Sequence, residues 1–214
     1  MARTIEALLF DFGGVFTGSP FHAFTDVGKE LGAQPGQIEE IMFGPYHEDT
    51  DHTWHRLERG EITLVAAREE IMAEGAQQGF VFDPLEILTR LAGGRGGVRT
   101  PLIDRVRDLR REGYRTALVT NNVAEFRSGW HSMLPVDELF DLVIDSSEVG
   151  IRKPDPAIYR LTLERLGNLP PERSVFLDDF ESNVQAATDL GIHGLLVDDE
   201  PLATIAALDR LLAA

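Results

Sequence analysis

Residues 5–15, IEALLFDFGGV, leave the chain few ways to fold. A mostly apolar run reaches Asp11 and then breaks at Phe12-Gly13-Gly14 before Val15. A buried strand that runs into a carboxylate followed by two glycines delivers that carboxylate to the carboxyl edge of a sheet. That is the edge where α/β proteins bind ligands and do chemistry. Asp11 is therefore a candidate nucleophile. An aspartate two residues before a glycine is also ordinary strand-end punctuation, so its standing depends on what the rest of the chain brings to the same edge.

The pattern changes twice along the chain. After a loop at 16–20, helical periodicity covers residues 21–31, stopping at Gly32, and returns over 37–42, 53–59 and 62–73. Asp83-Pro84 opens a further helix over 85–91, with proline in its first turn. The glycine-dense stretch 93–97 reads as a connector, because a dinucleotide fingerprint would have to follow a strand and open a helix. From Thr100 the text alternates, with helices expected over 100–112, 125–133, 155–166, 181–190 and 201–212. Strands are expected over 114–119, 142–145, 174–177 and 194–197. Thr100-Pro101 is read as the cap of the first of these helices. Alternation with short connections implies an α/β fold with a doubly wound parallel sheet. Residues 1–17 and 99–214 are expected to form that core, and 18–98 an all-helical cap inserted above the first strand's carboxyl end.

Composition narrows the function classes. The chain has 214 residues, 43% of them apolar, enough for one sizeable core and a smaller unit. No apolar run approaches a membrane span, and the first apolar stretch is too short for a signal peptide, so a cytoplasmic protein is expected. With no cysteine there is no disulfide, thiolate zinc site or cysteine nucleophile. A formal charge of -16 argues against nucleic acid or an anionic membrane as partner. An anionic ligand must then be held by local features: a metal ion, a lysine or helix N-termini.

Four strand ends bring polar residues to one edge: Asp11, then Thr120-Asn121, then the loop after Asp145 that leads to Lys153-Pro154, then Asp178-Asp179. This ordered set resembles the haloacid dehalogenase superfamily, in particular its phosphatase-like members with a helical cap after the first motif. The resemblance extends to the N-terminal phosphatase domain of soluble epoxide hydrolases and to small sugar-phosphate phosphatases, whose cap is similar to the phrase WHRLERGEIT at 54–63. It implies a magnesium-dependent phosphoric-monoester hydrolase that acts on a small phosphorylated metabolite through an aspartyl-phosphate on Asp11. Magnesium would be held by Asp11, Asp179 and the Gly13 carbonyl, with Asp178 a ligand or a neighbour orienting them together with Asn183. Thr120, Asn121 and Lys153 would hold the phosphoryl oxygens. A homo-oligomer is compatible with the resemblance.

The chain departs from the family pattern at Gly13, where phosphatases of this superfamily carry a second aspartate that serves as general acid and base. Such help is commonly worth about 10²- to 10⁴-fold in rate. Two rivals follow: a 2-haloacid dehalogenase-like hydrolase, which needs no protonated leaving group, and a catalytically weak or silent member that binds a metabolite or a protein. Among the cap histidines 22, 47, 52 and 55, one of His22 and His47 is expected to face the site and supply the missing proton. Phe16, Phe21, Phe24, Phe43 and Trp54 are candidates for a substrate pocket, with the cap's own core as the competing role.

Overall fold

The computed structural model describes residues 4–18, 24–94 and 97–213, apart from the side chains of 24–26 and 91–94. Five strands, β1 (Ala7–Phe10), β2 (Arg115–Thr120), β3 (Leu142–Asp145), β4 (Ser174–Asp178) and β5 (His193–Leu196), form one sheet. All neighbours pair in parallel, in the order β3-β2-β1-β4-β5. The strand that ends on Asp11 is thus the central one. It is apolar on both faces because both are covered. Leu8 and Phe10 pack into one layer with Val106 and Leu208, while Ala7 and Leu9 pack into the other with Ile158 and Ala187.

Between β1 and β2 lie α1 (Phe24–Glu30), α2 (Gln37–Phe43), α3 (Thr53–Glu58), α4 (Leu64–Gln77), α5 (Pro84–Gly94) and α6 (Thr100–Arg111). The later helices are α7 (Arg127–His131), α8 (Val136–Leu139), α9 (Ser146–Val149), α10 (Pro156–Arg165), α11 (Glu181–Asp189) and α12 (Pro201–Leu212). Helices α2 to α5 share a separate apolar core in which Ile38, Ile41, Met42, Leu57 and Ile71 are almost wholly buried. Local chemistry fixes their ends: Thr63 caps α4, and Asp83 accepts from Leu85 N at 2.9 Å at the start of α5. Asp83 also pairs with Arg68 of α4 at 2.7 Å. The insert is tied where it returns to the core. Arg99 N donates to Phe16 O at 2.8 Å, and the Arg99 guanidinium donates to Gly14 O at 2.6 Å.

Details differ from the sequence reading, and the short helices α8 and α9 have no counterpart in it. The helix expected over 125–133 is broken into a 3₁₀ turn (Ala124–Phe126) and the short α7, because Ser128, Gly129 and Ser132 give a helix little propensity. Thr100 begins α6 instead of capping it, with Arg99 in the cap position. Helix α5 runs on through Gly93 and Gly94, so the expected connector shrinks; residues 95 and 96 lie outside the described residues. Among the described residues, no helix is long and apolar enough to cross a membrane.

Candidate active site

The register of the sheet aligns the site before any side chain is considered. Phe10 of β1 is paired with Leu177 of β4, so Asp11 and Asp178 leave the sheet side by side, and Asp11 N donates to Leu177 O at 2.9 Å. Thr120 ends β2, next to Asp145 at the end of β3. Lys153, in the loop after α9, reaches back across these ends. Its Nζ lies 2.7 Å from Asp11 Oδ1 and 2.6 Å from Asp178 Oδ2. Lys153 is 1% exposed and Asp178 wholly buried, so these are desolvated, charge-assisted contacts.

Each of these groups is held from behind. The Asn121 side chain pairs with the Lys153 backbone in both directions, accepting from its N–H at 2.8 Å and donating to its carbonyl at 3.0 Å. The Lys153-Pro154 peptide is cis. Asn183 Nδ2 donates to both Asp178 oxygens at 3.1 Å, and Phe180 N donates to Asp178 Oδ1 at 2.8 Å. Asn183 is placed in turn by Tyr159, whose hydroxyl donates to the Asn183 carbonyl at 2.8 Å. Beside them, Asn122 Nδ2 donates to Asp145 Oδ2 and the Asn122 N–H donates to Ser146 Oγ, both at 2.9 Å, which braces the end of β2 against the end of β3.

Charge is unevenly matched at this edge. Burial, above all, pushes the Asp11 carboxyl up to about 7; Lys153 pulls it down, while Asp178 and Asp179 push it further up. Burial works against the Lys153 ammonium, but Asp11 and Asp178 outweigh it and hold its pKa above the ordinary lysine value. Asp11, Asp178 and Asp179 each offer an oxygen, all within 4.8 Å of one another. One ammonium among three carboxylates leaves room for a hard, oxygen-seeking cation such as magnesium, and the donor set fits one. The Asn183 Oδ1 atom, buried, finds no hydrogen-bond partner among the described residues.

A cavity of about 720 Å³ opens over these residues, bounded below by the strand ends and above by the helical insert. Asp11, Gly13, Thr120, Asn121 and Lys153 form its polar floor. Leu64, Leu85 and Leu88 of the insert and Phe126, Trp130 and Met133 of the core line the rest of it. Of the aromatic candidates, Phe43 and Trp54 line the cavity, and both also belong to the insert's core. Phe16 is buried in the main core, while the Phe21 and Phe24 side chains lie outside the described residues. His22 also lies outside them. His47 is exposed and lines a neighbouring shallow pocket, not the cavity that holds Asp11. His52 caps α3, and His55 is buried with its Nδ1 accepting from Thr50 N at 3.0 Å.

A family model described as haloacid dehalogenase-like hydrolase matches residues 5–191. The chain belongs to that family. A sesquiterpene phosphatase of Aspergillus oryzae is 29% identical over 212 residues, covering 99% of this chain and 98% of its own length. The mouse acyl-CoA dehydrogenase family member 10 is 32% identical over 213 residues, but this haloacid dehalogenase-like chain spans only 19% of its length. Among solved structures, a haloacid dehalogenase family enzyme of Bacteroides thetaiotaomicron, in complex with magnesium and inorganic phosphate, superposes with a TM-score of 0.63 at 25% identity. That match covers 90% of this chain and 93% of the other. The chain spans between 19% and 37% of the length of four curated relatives that it matches.

Sequence reasoning did not single out Arg152 or Glu58, which pair inside the molecule at 2.7 Å although 94 residues separate them. Glu58 lies within a helical insert whose docking has no local signature. Arg152 had only its position beside Lys153 to mark it. Glu125, which the sequence marks only as the start of a helix, has a carboxylate that accepts from Leu64 N at 2.8 Å and so links the core to the start of α4.

Proposed function

We propose that this chain is a cytoplasmic, magnesium-dependent phosphatase that hydrolyses a small organic phosphate monoester through an aspartyl-phosphate on Asp11. The observation that carries the reading is the Lys153 ammonium within 2.7 Å of the Asp11 carboxylate, at the floor of a cavity otherwise open above it. Asp11 attacks phosphorus, one carboxylate oxygen gains the bond to phosphorus, and the ester oxygen departs with its electron pair. Water then attacks the phosphorus of the aspartyl-phosphate, releasing orthophosphate and restoring Asp11. Lys153 and the Thr120 hydroxyl offset charge on the phosphoryl oxygens. Because the Asn121 side chain is engaged with the Lys153 backbone, its share falls to its main chain.

Asp11, Asp179 and the Gly13 carbonyl would hold the magnesium ion, with Asp178 in the same cluster; the bound ion supplies Lewis-acid stabilisation of the phosphoryl oxygens. With glycine at position 13, no side chain there protonates the departing oxygen, which favours esters whose alcohol leaves readily or takes its proton from water. Residues 18–98 act as the cap that roofs this reaction. Asp178, Asp179 and Asn183 favour a phosphatase over a dehalogenase, since halide displacement has no need of a cation.

The apolar walls extend the reading to the alcohol part of the ester. A sugar would leave Leu85, Leu88 and Phe126 in contact with hydroxyl groups, whereas an alkyl or terpenyl group would bury them, at about 0.8 kcal/mol for each CH₂ covered. The sesquiterpene phosphatase relative supports the same direction. A panel of phosphate esters assayed for orthophosphate with magnesium tests both parts. The expected result is turnover of p-nitrophenyl phosphate, and kcat/KM rising severalfold with each added CH₂ in an alkyl series. Faster turnover of sugar phosphates than of alkyl phosphates would sink the apolar assignment, and no turnover of any ester would sink the phosphatase.

A further inference from the structure

Arg152, one residue ahead of Lys153, is completely buried in the seam between core and cap. Its Nε donates to Glu58 Oε2 at 2.7 Å, its Nη1 donates to the Glu48 carbonyl at 3.0 Å, and Asp49 Oδ1 lies 3.6 Å from Nη1. Its guanidinium carbon sits 5.1 Å from the centre of the Tyr46 ring. Glu58 is engaged at its other oxygen too: Oε1 accepts from Trp54 Nε1 at 2.9 Å and from the Tyr46 hydroxyl at 3.2 Å. Glu58 lines the cavity that holds Asp11; Arg152 stands behind that wall.

The charges around the cavity give this pair its meaning. Among the described lining residues, the carboxylates of Asp11, Glu58, Glu125, Asp178 and Asp179 face one ammonium, that of Lys153. In a space of low dielectric such an excess repels an incoming anion. Asp11 and Asp178 are answered by Lys153, and the aspartate cluster as a whole by the cation the fold accommodates. Glu125 is bonded to a helix N-terminal amide. The guanidinium that answers Glu58 comes from outside the cavity.

We infer that Arg152 is a positioning residue for substrate binding: its guanidinium neutralises Glu58 from behind the cavity wall, so that a phosphate dianion enters past a carboxylate whose charge is already matched. The same contacts seat α3 of the cap against the loop that carries Lys153. This inference rests on the phosphatase reading above, and it locates the effect in substrate affinity, not in the chemical step. A salt bridge that merely held the cap would weaken the protein equally when either partner was removed. Here the two partners have opposite effects on an anion, because losing Arg152 exposes a negative charge and losing Glu58 leaves a positive one.

The test compares Arg152→Met, Arg152→Lys, Glu58→Gln and the Arg152→Met/Glu58→Gln pair. KM and kcat for p-nitrophenyl phosphate with magnesium are measured, together with the Kd of inorganic phosphate by calorimetry. Arg152→Met is expected to raise KM and the phosphate Kd about tenfold or more while kcat falls less than about threefold. Glu58→Gln is expected to leave both at or below the wild-type value, and the double variant to return them to within about threefold of it. Arg152→Lys, which keeps the charge, should recover most of the affinity. If Arg152→Met does not fold, the lysine and double variants carry the test, since a buried pair replaced on both sides by neutral groups is commonly tolerated. The inference is overturned if Glu58→Gln raises KM as much as loss of Arg152 does, if the double variant is no better than the single, or if kcat falls with KM unchanged. An active wild type with an unaffected Arg152→Met variant removes this inference alone. A wild type that neither turns over an ester nor binds phosphate removes the proposed function, and this inference with it.

Discussion

Gly14, at a φ of +68°, packs so closely beneath Asp179 that a Cβ at position 14 would overlap its carboxylate. Two independent constraints meet there. The left-handed backbone costs a non-glycine residue about 1–2 kcal/mol, and the absent side chain is what lets Asp179 stand beside Asp11. Gly14→Ala should therefore displace Asp179 while leaving the sheet intact. The expected outcome is a folded protein with kcat/KM reduced by more than about tenfold and a weaker response to magnesium, read from steady-state rates and thermal melts. A variant with wild-type magnesium response would show that Asp179 takes no part in holding the cation.

Asn183 donates to both oxygens of Asp178, and Asp178 is one of the two carboxylates that fix the Lys153 ammonium. Removing the amide leaves a buried carboxylate short of donors and free to draw Lys153 away from Asp11. Asn183→Ala is expected to lower kcat/KM by about 10- to 100-fold while circular dichroism stays that of the wild type. Lys153→Ala should be worse, since it also leaves Asp11 and Asp178 buried without their common cation.

The raised pKa of Asp11 gives the metal a pH signature. Folding lifts this carboxyl from its ordinary 3.8 to about 7, chiefly by burial. Its contribution to stability is thus fully present below the unfolded value and is lost as pH rises through about 7. A divalent cation needs the carboxylate and competes with that proton. The increase in melting temperature caused by magnesium should be larger near pH 8 than near pH 6, and Asp11→Asn should remove the difference. Differential scanning fluorimetry with and without magnesium at the two pH values provides the check; an increase equal at both would mean the cation does not engage Asp11.

Much of the fold was legible because its signals are local. Strands β1 to β4 are largely apolar runs that end on a polar residue or, in β1, directly before one, and their alternation with helices after Thr100 points to a parallel sheet. The strand ends in turn placed Asp11, Thr120, Lys153 and Asp178 on one edge. Helix boundaries failed where propensity is weak, as at Ser128-Gly129, or where glycines continue a helix, as at Gly93-Gly94. What stayed hidden was the docking of the insert. The contacts of Arg152 with Glu58 and of Glu125 with Leu64 join segments 94 and 61 residues apart, with no periodicity to announce them. Likewise, no pattern in the text showed that the Asn121 side chain is spent on the Lys153 backbone. That fact separates two residues which the sequence had grouped as phosphate donors.

The most direct measurement of the central claim is intact-mass spectrometry of enzyme quenched in acid during turnover of p-nitrophenyl phosphate with magnesium. The account predicts a fraction of the chain heavier by one phosphoryl group, with peptide mapping placing it on Asp11, and neither the adduct nor phosphate release in Asp11→Asn. Continued phosphate release by Asp11→Asn at an undiminished rate, or an adduct on any other residue, would contradict it.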